Sequence, residues 1–273
     1  MDPEPYVLVA QLSDPHIVER DAMLHGVLDT EPYLVAAVEL LRHLDPQPGL
    51  VLISGDLVNE GRPEQYENLR RLLEPLQVPV RLMCGNHDDP VGLRQVFHDH
   101  AYLGSSGQVD YVIDELPPLR IVVLDTHVAG EPGGSLSASQ LAWLDDRLVD
   151  AADRVCLIAM HHPPFLTGIG HMDAMRLDDA SVAGLAEVVG RHAHVERVIC
   201  GHLHRSIVRR FAGTIAMTVP GNAHAVRLDL RPGLTIGAAD LEPPAVTLHL
   251  WRPETGLVTH TRSIGTFPSW PFG

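Results

Sequence analysis

The amino-acid sequence predicts an α/β fold built around a largely buried sheet. Three observations predict it. Apolar runs of strand length recur along the first two hundred residues, amphipathic stretches of helical length lie between several of them, and short polar clusters follow the runs. Continuous apolar runs, rather than alternating ones, are what strands covered on both faces require.

The elements follow in order. Tyr6–Leu12 reads as the first strand, and Pro32–Leu44 as a helix leading to a second strand at Leu50–Ser54. Pro63–Leu73 is helical in pattern, and Val80–Met83 is the third strand. Ile121–Leu124 comes next. The helix after it runs from Ser137 to Leu148, where Ser137 is an N-cap and Gln140, three residues on, completes a capping box. Val155–Met160, the helix Ala180–Arg191 and Val195–Cys200 complete the alternation. From about residue 205 the texture changes. Short apolar runs at Ile207–Phe211, Ile215–Val219, Ala225–Leu230, Ala245–Trp251 and Leu257–Arg262 are separated by Gly and Pro with no helix between them. With no repeat, low-complexity tract or linker, residues 1–273 read as one domain with a β-rich C-terminal portion. Pro268–Gly273 reads as a tail.

Composition excludes several functions. Apolar residues make up 45% of the 273, enough for a sizeable core, and no run approaches the roughly 18 residues of a membrane span. No basic segment leads into an apolar stretch at the start, so a cytoplasmic protein is expected. The net charge of −15 opposes binding to nucleic acid or to an anionic membrane. It does not oppose an anionic substrate, because metal ions reverse the field inside one pocket. All 20 basic residues are arginine. The absence of lysine removes Schiff-base chemistry, a Walker A phosphate site and a Ser-Lys dyad. Cys84, Cys156 and Cys200 lie in or at the end of apolar runs and read as small buried hydrophobes. Histidine, at 17 residues, is the outlier.

Five polar clusters carry the chemistry: Asp14-Pro15-His16, Gly55-Asp56, Gly85-Asn86-His87-Asp88, His161-His162 and Gly201-His202-Leu203-His204. Each follows an apolar run. In open α/β sheets, ligands bind beyond the carboxyl ends of the strands. Histidine, aspartate and asparagine without thiolate suit borderline-hard metal ions. Seven ligands are too many for one tetrahedral ion and suit two, with one carboxylate shared. In D-x-H and H-x-H, the first and third side chains of an extended segment project to the same side. Gly55, Gly85 and Gly201 each precede a candidate ligand and permit a sharp turn or a close backbone approach. Each piece alone is common; the ordered set is specific.

That ordered set resembles the calcineurin-like metallophosphoesterase superfamily, and within it the bacterial glycerophosphodiesterases and class III cyclic-nucleotide phosphodiesterases. The glycerophosphodiesterase branch is the nearer likeness. The segments that carry it are Ser13–His16, Ser54–Asn59, Gly61–Glu64, Gly85–Asp89, Met160–Pro164, Cys200–His204 and Pro220–His224. Pro15 departs from that branch, which more often has Thr there; its side chain is not a ligand. The resemblance implies an αββα sandwich of two packed mixed sheets flanked by helices, a homo-oligomer, and two metal ions per chain drawn from Fe, Mn, Zn and Co. It implies that Asp14, His16 and His204 hold one ion, that Asn86, His161 and His202 hold the other, and that Asp56 bridges them.

The expected reaction is hydrolysis of a small phosphodiester, a glycerophosphodiester or a 3′,5′-cyclic nucleotide. Two ions clamp the phosphoryl group and generate hydroxide for in-line attack on phosphorus. His87 is expected to stabilise or protonate the leaving alkoxide, with Asp88 orienting it. His224 is expected to contact the phosphate. Asn59 and Arg62 are expected to line the pocket, Arg62 either gripping phosphate or pinning its loop. His162 is expected to support its loop. Tyr66, Phe97 and Phe165 are the aromatic candidates for stacking a base. The rival readings are a phosphomonoesterase of the same superfamily, an amidohydrolase barrel, a nuclease and a non-catalytic metal-binding module. In an amidohydrolase the H-x-H would open the chain rather than follow the other clusters, and the acidic balance opposes a nuclease.

Overall fold

The computed structural model describes residues 6–271. The strands are β1 (Val7–Leu12), β2 (Leu50–Ser54), β3 (Val80–Met83), β4 (Tyr111–Leu116), β5 (Leu119–Leu124), β6 (Val155–Met160), β7 (Val195–Cys200), β8 (Ile207–Phe211), β9 (Thr214–Thr218), β10 (Ala225–Val226), β11 (Ala239–Asp240), β12 (Ala245–Arg252) and β13 (Gly256–Ser263). The helices are α1 (Glu31–Arg42), α2 (Pro63–Leu73), α3 (Pro90–Val96), α4 (Ala138–Val149), α5 (Gly170–Asp173) and α6 (Asp179–Arg191).

Two mixed sheets form the centre. One has the order β13-β12-β1-β2-β3, with β1, β2 and β3 parallel. The other has the order β4-β5-β6-β7-β9-β8, with β5, β6, β7 and β9 parallel. Period-two alternation shows how the layers stack. On β5, β6 and β7, Ile121, Val123, Leu157, Ala159 and Ile199 face the first sheet in one shared core. Their neighbours Val122, Leu124, Cys156, Ile158, Met160, Val198 and Cys200 face a second core under α4 and α6. Both faces of these strands are buried, which explains their unbroken apolar runs. Helices α1 and α2 cover the first sheet through Leu34, Val38, Leu41, Leu69 and Leu72. The result is an αββα sandwich.

The C-terminal strands complete both sheets: β8 and β9 extend the second, and β12 and β13 extend the first. The run expected as a strand at Ala225–Leu230 is corrected. Only Ala225–Val226 pairs, with Ala239–Asp240. Leu228 and Leu230 point to solvent, and Arg227 turns back to the Asp240 carboxylate, so nothing extends the ladder. Four elements were not expected: β4, α3 and the short β11 and α5. β4 carries exposed Asp114 and Glu115, which break its apolar run, and α3 is short and capped by Asp89, whose carboxylate accepts from the Val91 and Gly92 amides. The capping box of α4 forms between Ser137 and Gln140. Cys84, Cys156 and Cys200 are buried free thiols. The last two residues of the expected tail lie outside the described residues.

Candidate metal centre

Three loops of the first sheet and two of the second meet at the carboxyl ends of parallel strands. Asp14 and His16 follow β1, Asp56 follows β2 and Asn86 follows β3. His161 follows β6, and His202 and His204 follow β7. The first two loops are joined by main-chain hydrogen bonds: the amides of Asp14, His16 and Ile17 donate to the carbonyls of Gly55, Asp56 and Leu57. The expectation of extended D-x-H and H-x-H segments is corrected here. Asp14, His16, Asp56, His202 and His204 all have positive φ, between 44° and 69°. The chain turns left-handed at these five of the seven candidate ligands, and their side chains converge on one edge.

Four ligand atoms, from Asp14, His16, Asp56 and His204, lie within 4.8 Å of one another. His16 Nε2 is 3.6 Å from Asp56 Oδ2 and 3.2 Å from His204 Nε2, and His204 Nε2 is 3.4 Å from Asp14 Oδ1. On the other side, His161 Nε2 is 3.4 Å from the same Asp56 Oδ2. Asp56 Oδ2 thus faces both groups, while Oδ1 accepts from the His87 amide at 2.9 Å. His161 and His202 rings lie 5.1 Å apart. Gly85 makes this possible: a Cβ there would collide with the Asp56 carboxylate, the Asp56 amide and the His161 ring.

The donor set fits metal ions. His161 Nε2, His202 Nε2 and Asn86 Oδ1 are buried and have no hydrogen-bond partner among the described residues. Leaving such atoms unsatisfied costs about 1–3 kcal/mol each, and a cation satisfies them. Main-chain carbonyls fix the tautomers. His161 Nδ1 donates to the Ser54 carbonyl at 2.8 Å and His204 Nδ1 to the His224 carbonyl at 3.1 Å, leaving each Nε2 lone pair on the centre. Burial holds His202 down to about 3 and His204 to about 4, and His16 well below its usual range, so all three are neutral and able to ligate. Burial pushes Asp14 up. It opposes ionisation of Asp56 as well, yet His161, itself raised against its burial to about 9 by the Asp56 and Asp14 carboxylates, holds that carboxylate well below its usual range, and a cation at the centre would take the place of the His161 proton. These Asp and His groups suit a dinuclear metal site.

The remaining candidates divide. His87 stands edge-on to His16, ring centres 4.7 Å apart, with Nδ1 donating to the Asn59 carbonyl at 2.7 Å. His224 lies 4.4 Å from the His204 ring and 5.4 Å from the His16 ring. Asn59 therefore reaches the site through its main chain. Arg62 sits at the entry to α2, exposed and paired with Glu19 and Glu60, so it pins the loop. His162 is grouped with His161 and His202, but both its nitrogens are committed, to Thr126 Oγ1 and the Pro132 carbonyl. The expectation that Asp88 orients His87 is corrected. Asp88 is buried and accepts from the amides of Leu57, Val58 and Gly85 and from the Tyr66 hydroxyl. It shapes the loop that carries Asp56. Tyr66, Phe97 and Phe165 are all buried, so none of them is placed to stack a base.

A fold of two mixed sheets under flanking helices, with Asp and His side chains of five strand ends at one edge, defines a metallophosphoesterase. The family profile described as calcineurin-like phosphoesterase matches residues 7–206, and the chain belongs to that family. A probable glycerophosphodiester phosphodiesterase GpdQ of Arcobacter nitrofigilis is 33% identical over 97% of this chain and 97% of its own. A cAMP/cGMP dual specificity phosphodiesterase of Mycobacterium tuberculosis is 33% identical over 86% of this chain and 73% of its own. In fold, a dimetal phosphatase from Danio rerio superposes with a TM-score of 0.65 at 15% identity, covering 95% of this chain and 99% of its own.

Proposed function

We propose that the chain is a dinuclear metal-dependent phosphodiesterase that hydrolyses small phosphodiesters, glycerophosphodiesters first among them. The observation that carries this reading is the cluster of ligand atoms from Asp14, His16, Asp56 and His204 within 4.8 Å of one another, with His161 Nε2 3.4 Å from the same Asp56 and the buried Nε2 atoms of His161 and His202 and Oδ1 of Asn86 unpartnered among the described residues. Asp14, His16 and His204 would hold one ion and Asn86, His161 and His202 the other, with Asp56 shared between them. Two ions of the Fe, Mn, Zn or Co type supply Lewis acidity to the phosphoryl oxygens and activate the attacking water.

The chain's own residues do the rest. The Asn59 carbonyl takes the Nδ1 hydrogen of His87, so Nε2 is the atom offered to substrate. From there a protonated His87 donates to the leaving alkoxide. His224, whose Nδ1 has no partner among the described residues, contacts the phosphate from beside the His16 and His204 rings. The relative that spans 97% of both chains is named for glycerophosphodiesters. The burial of the aromatic candidates also favours a substrate without a base to stack. We also propose a homo-oligomer, in which exposed Leu228, Leu230, Ile236 and Leu241 are covered.

The test is to strip the protein with chelator, restore Mn²⁺ or Co²⁺, and compare an aryl phosphodiester with its monoester, alongside Asp56→Asn. Metal-dependent diester turnover that the variant loses is expected, followed by faster turnover of a glycerophosphodiester than of a 3′,5′-cyclic nucleotide. Preference for the monoester selects a phosphomonoesterase instead. Two bound metals with no turnover of either ester would leave a metal-binding module.

A further inference from the structure

A line of buried polar side chains crosses the layer between the sheets and ends at the metal centre. Gln11, Ser13, Ser54 and His249 on it are fully buried. Arg197 on β7 of the second sheet reaches Thr259 Oγ1 on β13 of the first. Thr259 and His249 stand opposite one another on β13 and β12, with Thr259 Oγ1 2.9 Å from His249 Nδ1. His249 Nε2 is 2.9 Å from Gln11 Oε1 on β1, and Gln11 Nε2 is 2.8 Å from Ser54 Oγ on β2. Ser54 Oγ is 2.8 Å from Ser13 Oγ, and Ser13 Oγ and Asp14 Oδ2 lie side by side against Gly201, Asp14 Oδ2 3.1 Å from where a Cβ there would sit and Ser13 Oγ closer still, with the Ser54 carbonyl 3.4 Å from Ser13 Oγ.

Chemistry gives the line a direction. A guanidinium only donates, so Thr259 accepts from Arg197 and turns its own hydrogen to His249 Nδ1. The neutral imidazole then carries its hydrogen on Nε2 and donates to Gln11 Oε1. That fixes the Gln11 amide, which donates to Ser54 Oγ. Ser54 donates on to Ser13 at 2.8 Å rather than to the Leu12 carbonyl at 3.2 Å, and the one Ser13 hydrogen goes to the Asp14 carboxylate, a stronger acceptor than the Ser54 carbonyl 3.4 Å away that already takes His161 Nδ1. The carbonyl of the same Ser54 accepts from His161 Nδ1. One line therefore braces a ligand of each ion.

We propose that His249 is a positioning residue for the metal centre: it carries a one-way hydrogen-bond relay from Arg197 through Thr259, Gln11, Ser54 and Ser13 that holds the Asp14 carboxylate in the orientation that takes a cation. This inference rests on the dinuclear reading above.

The experiment measures Mn²⁺ affinity by competition with a chelator, together with the melting temperature with and without Mn²⁺. Two variants cut the relay: His249→Phe, and Ser54→Ala, which removes one oxygen and keeps the carbonyl under His161. His249→Gln keeps an acceptor and a donor. Thr247→Val is the control, since Thr247 is buried on the same strand and its hydroxyl has no partner. Loss of an outer partner weakens metal binding by roughly 10–100-fold. An affinity about tenfold weaker is expected for His249→Phe and Ser54→Ala, with the metal-dependent rise in melting temperature reduced. His249→Gln recovers most of the affinity, and Thr247→Val matches wild type. Wild-type affinity in both cut variants, or equal melting losses with and without Mn²⁺, overturns the relay while leaving the metal centre intact. Failure of the wild-type protein itself to bind Mn²⁺ overturns the dinuclear reading and the relay with it.

Discussion

Gly85 is where a single carbon decides whether the centre can assemble. A methyl group there meets the carboxylate and amide of Asp56 and the ring of His161. Gly85→Ala is expected to lower bound metal from two ions to one or fewer and to reduce turnover at least a hundredfold, checked by elemental analysis and a diester assay. His249 makes a separate prediction about pH. Burial holds it at about 3, below its ordinary value of 6.5. The unfolded chain therefore binds one more proton between those values, and the stability this site contributes is lost as pH falls from 6.5 toward 3. Urea titrations across that window should show a slope shallower in His249→Gln by up to about 1.4 kcal/mol per pH unit; equal slopes would show that His249 is not the buried neutral group. At this scale the candidate ligands were legible because each sits in a short polar cluster right after an apolar run. The true partners of Asp88 were not. A carboxylate beside His87 in sequence reads as its partner, whereas the chain folds it onto amides 30 residues away. Gln11 and His249, 238 positions apart, lie inside strands whose pattern gives no sign of a shared hydrogen bond.

Elements were legible where burial on both faces made their apolar runs continuous, as in β2, β6 and β7. They were not legible at the margins. β4 is an edge strand whose consecutive residues Asp114 and Glu115 are both exposed, and α3 is under two turns long, too short for a helical period to register. Helix α4 carries its own signal at its start, and that signal makes a prediction. Ser137 accepts from the Gln140 amide, and Gln140 reaches back to the Ser137 amide at 3.0 Å. Ser137→Ala is expected to cost about 1 kcal/mol in chemical denaturation and to leave kcat unchanged, because α4 covers the face of the second sheet rather than its ligand-bearing edge. A matching loss of kcat would mean that the helix is coupled to the site.

Across the whole molecule, His16 of the first sheet and His161 of the second face the same Asp56 oxygen, so on the dinuclear proposal metal binding and the packing of the two sheets depend on one another. Mn²⁺ at a hundredfold excess over Kd should stabilise the protein by about 2.7 kcal/mol, seen as a melting temperature several degrees above that in chelator. An unchanged melting temperature would argue against ions that bridge the sheets. Leu228, Leu230, Ile236 and Leu241 expose apolar surface between β10 and β12. Wild-type protein is expected to sediment as an oligomer and Ile236→Glu as a smaller species, whereas a monomeric wild type would leave that surface without a partner. The left-handed backbone at Asp14, His16, Asp56, His202 and His204 bears on ancestry as well as geometry. L-residues with side chains resist that conformation by about 1–2 kcal/mol each, glycine and asparagine least. If these five residues are the ligands proposed above, their role at the metal centre is set against the preference of their own backbone. In chelator, His204→Asn should melt no lower than wild type, although it has lost a ligand. A lineage released from its substrate would drift toward glycine and asparagine here, becoming sturdier as it became inert.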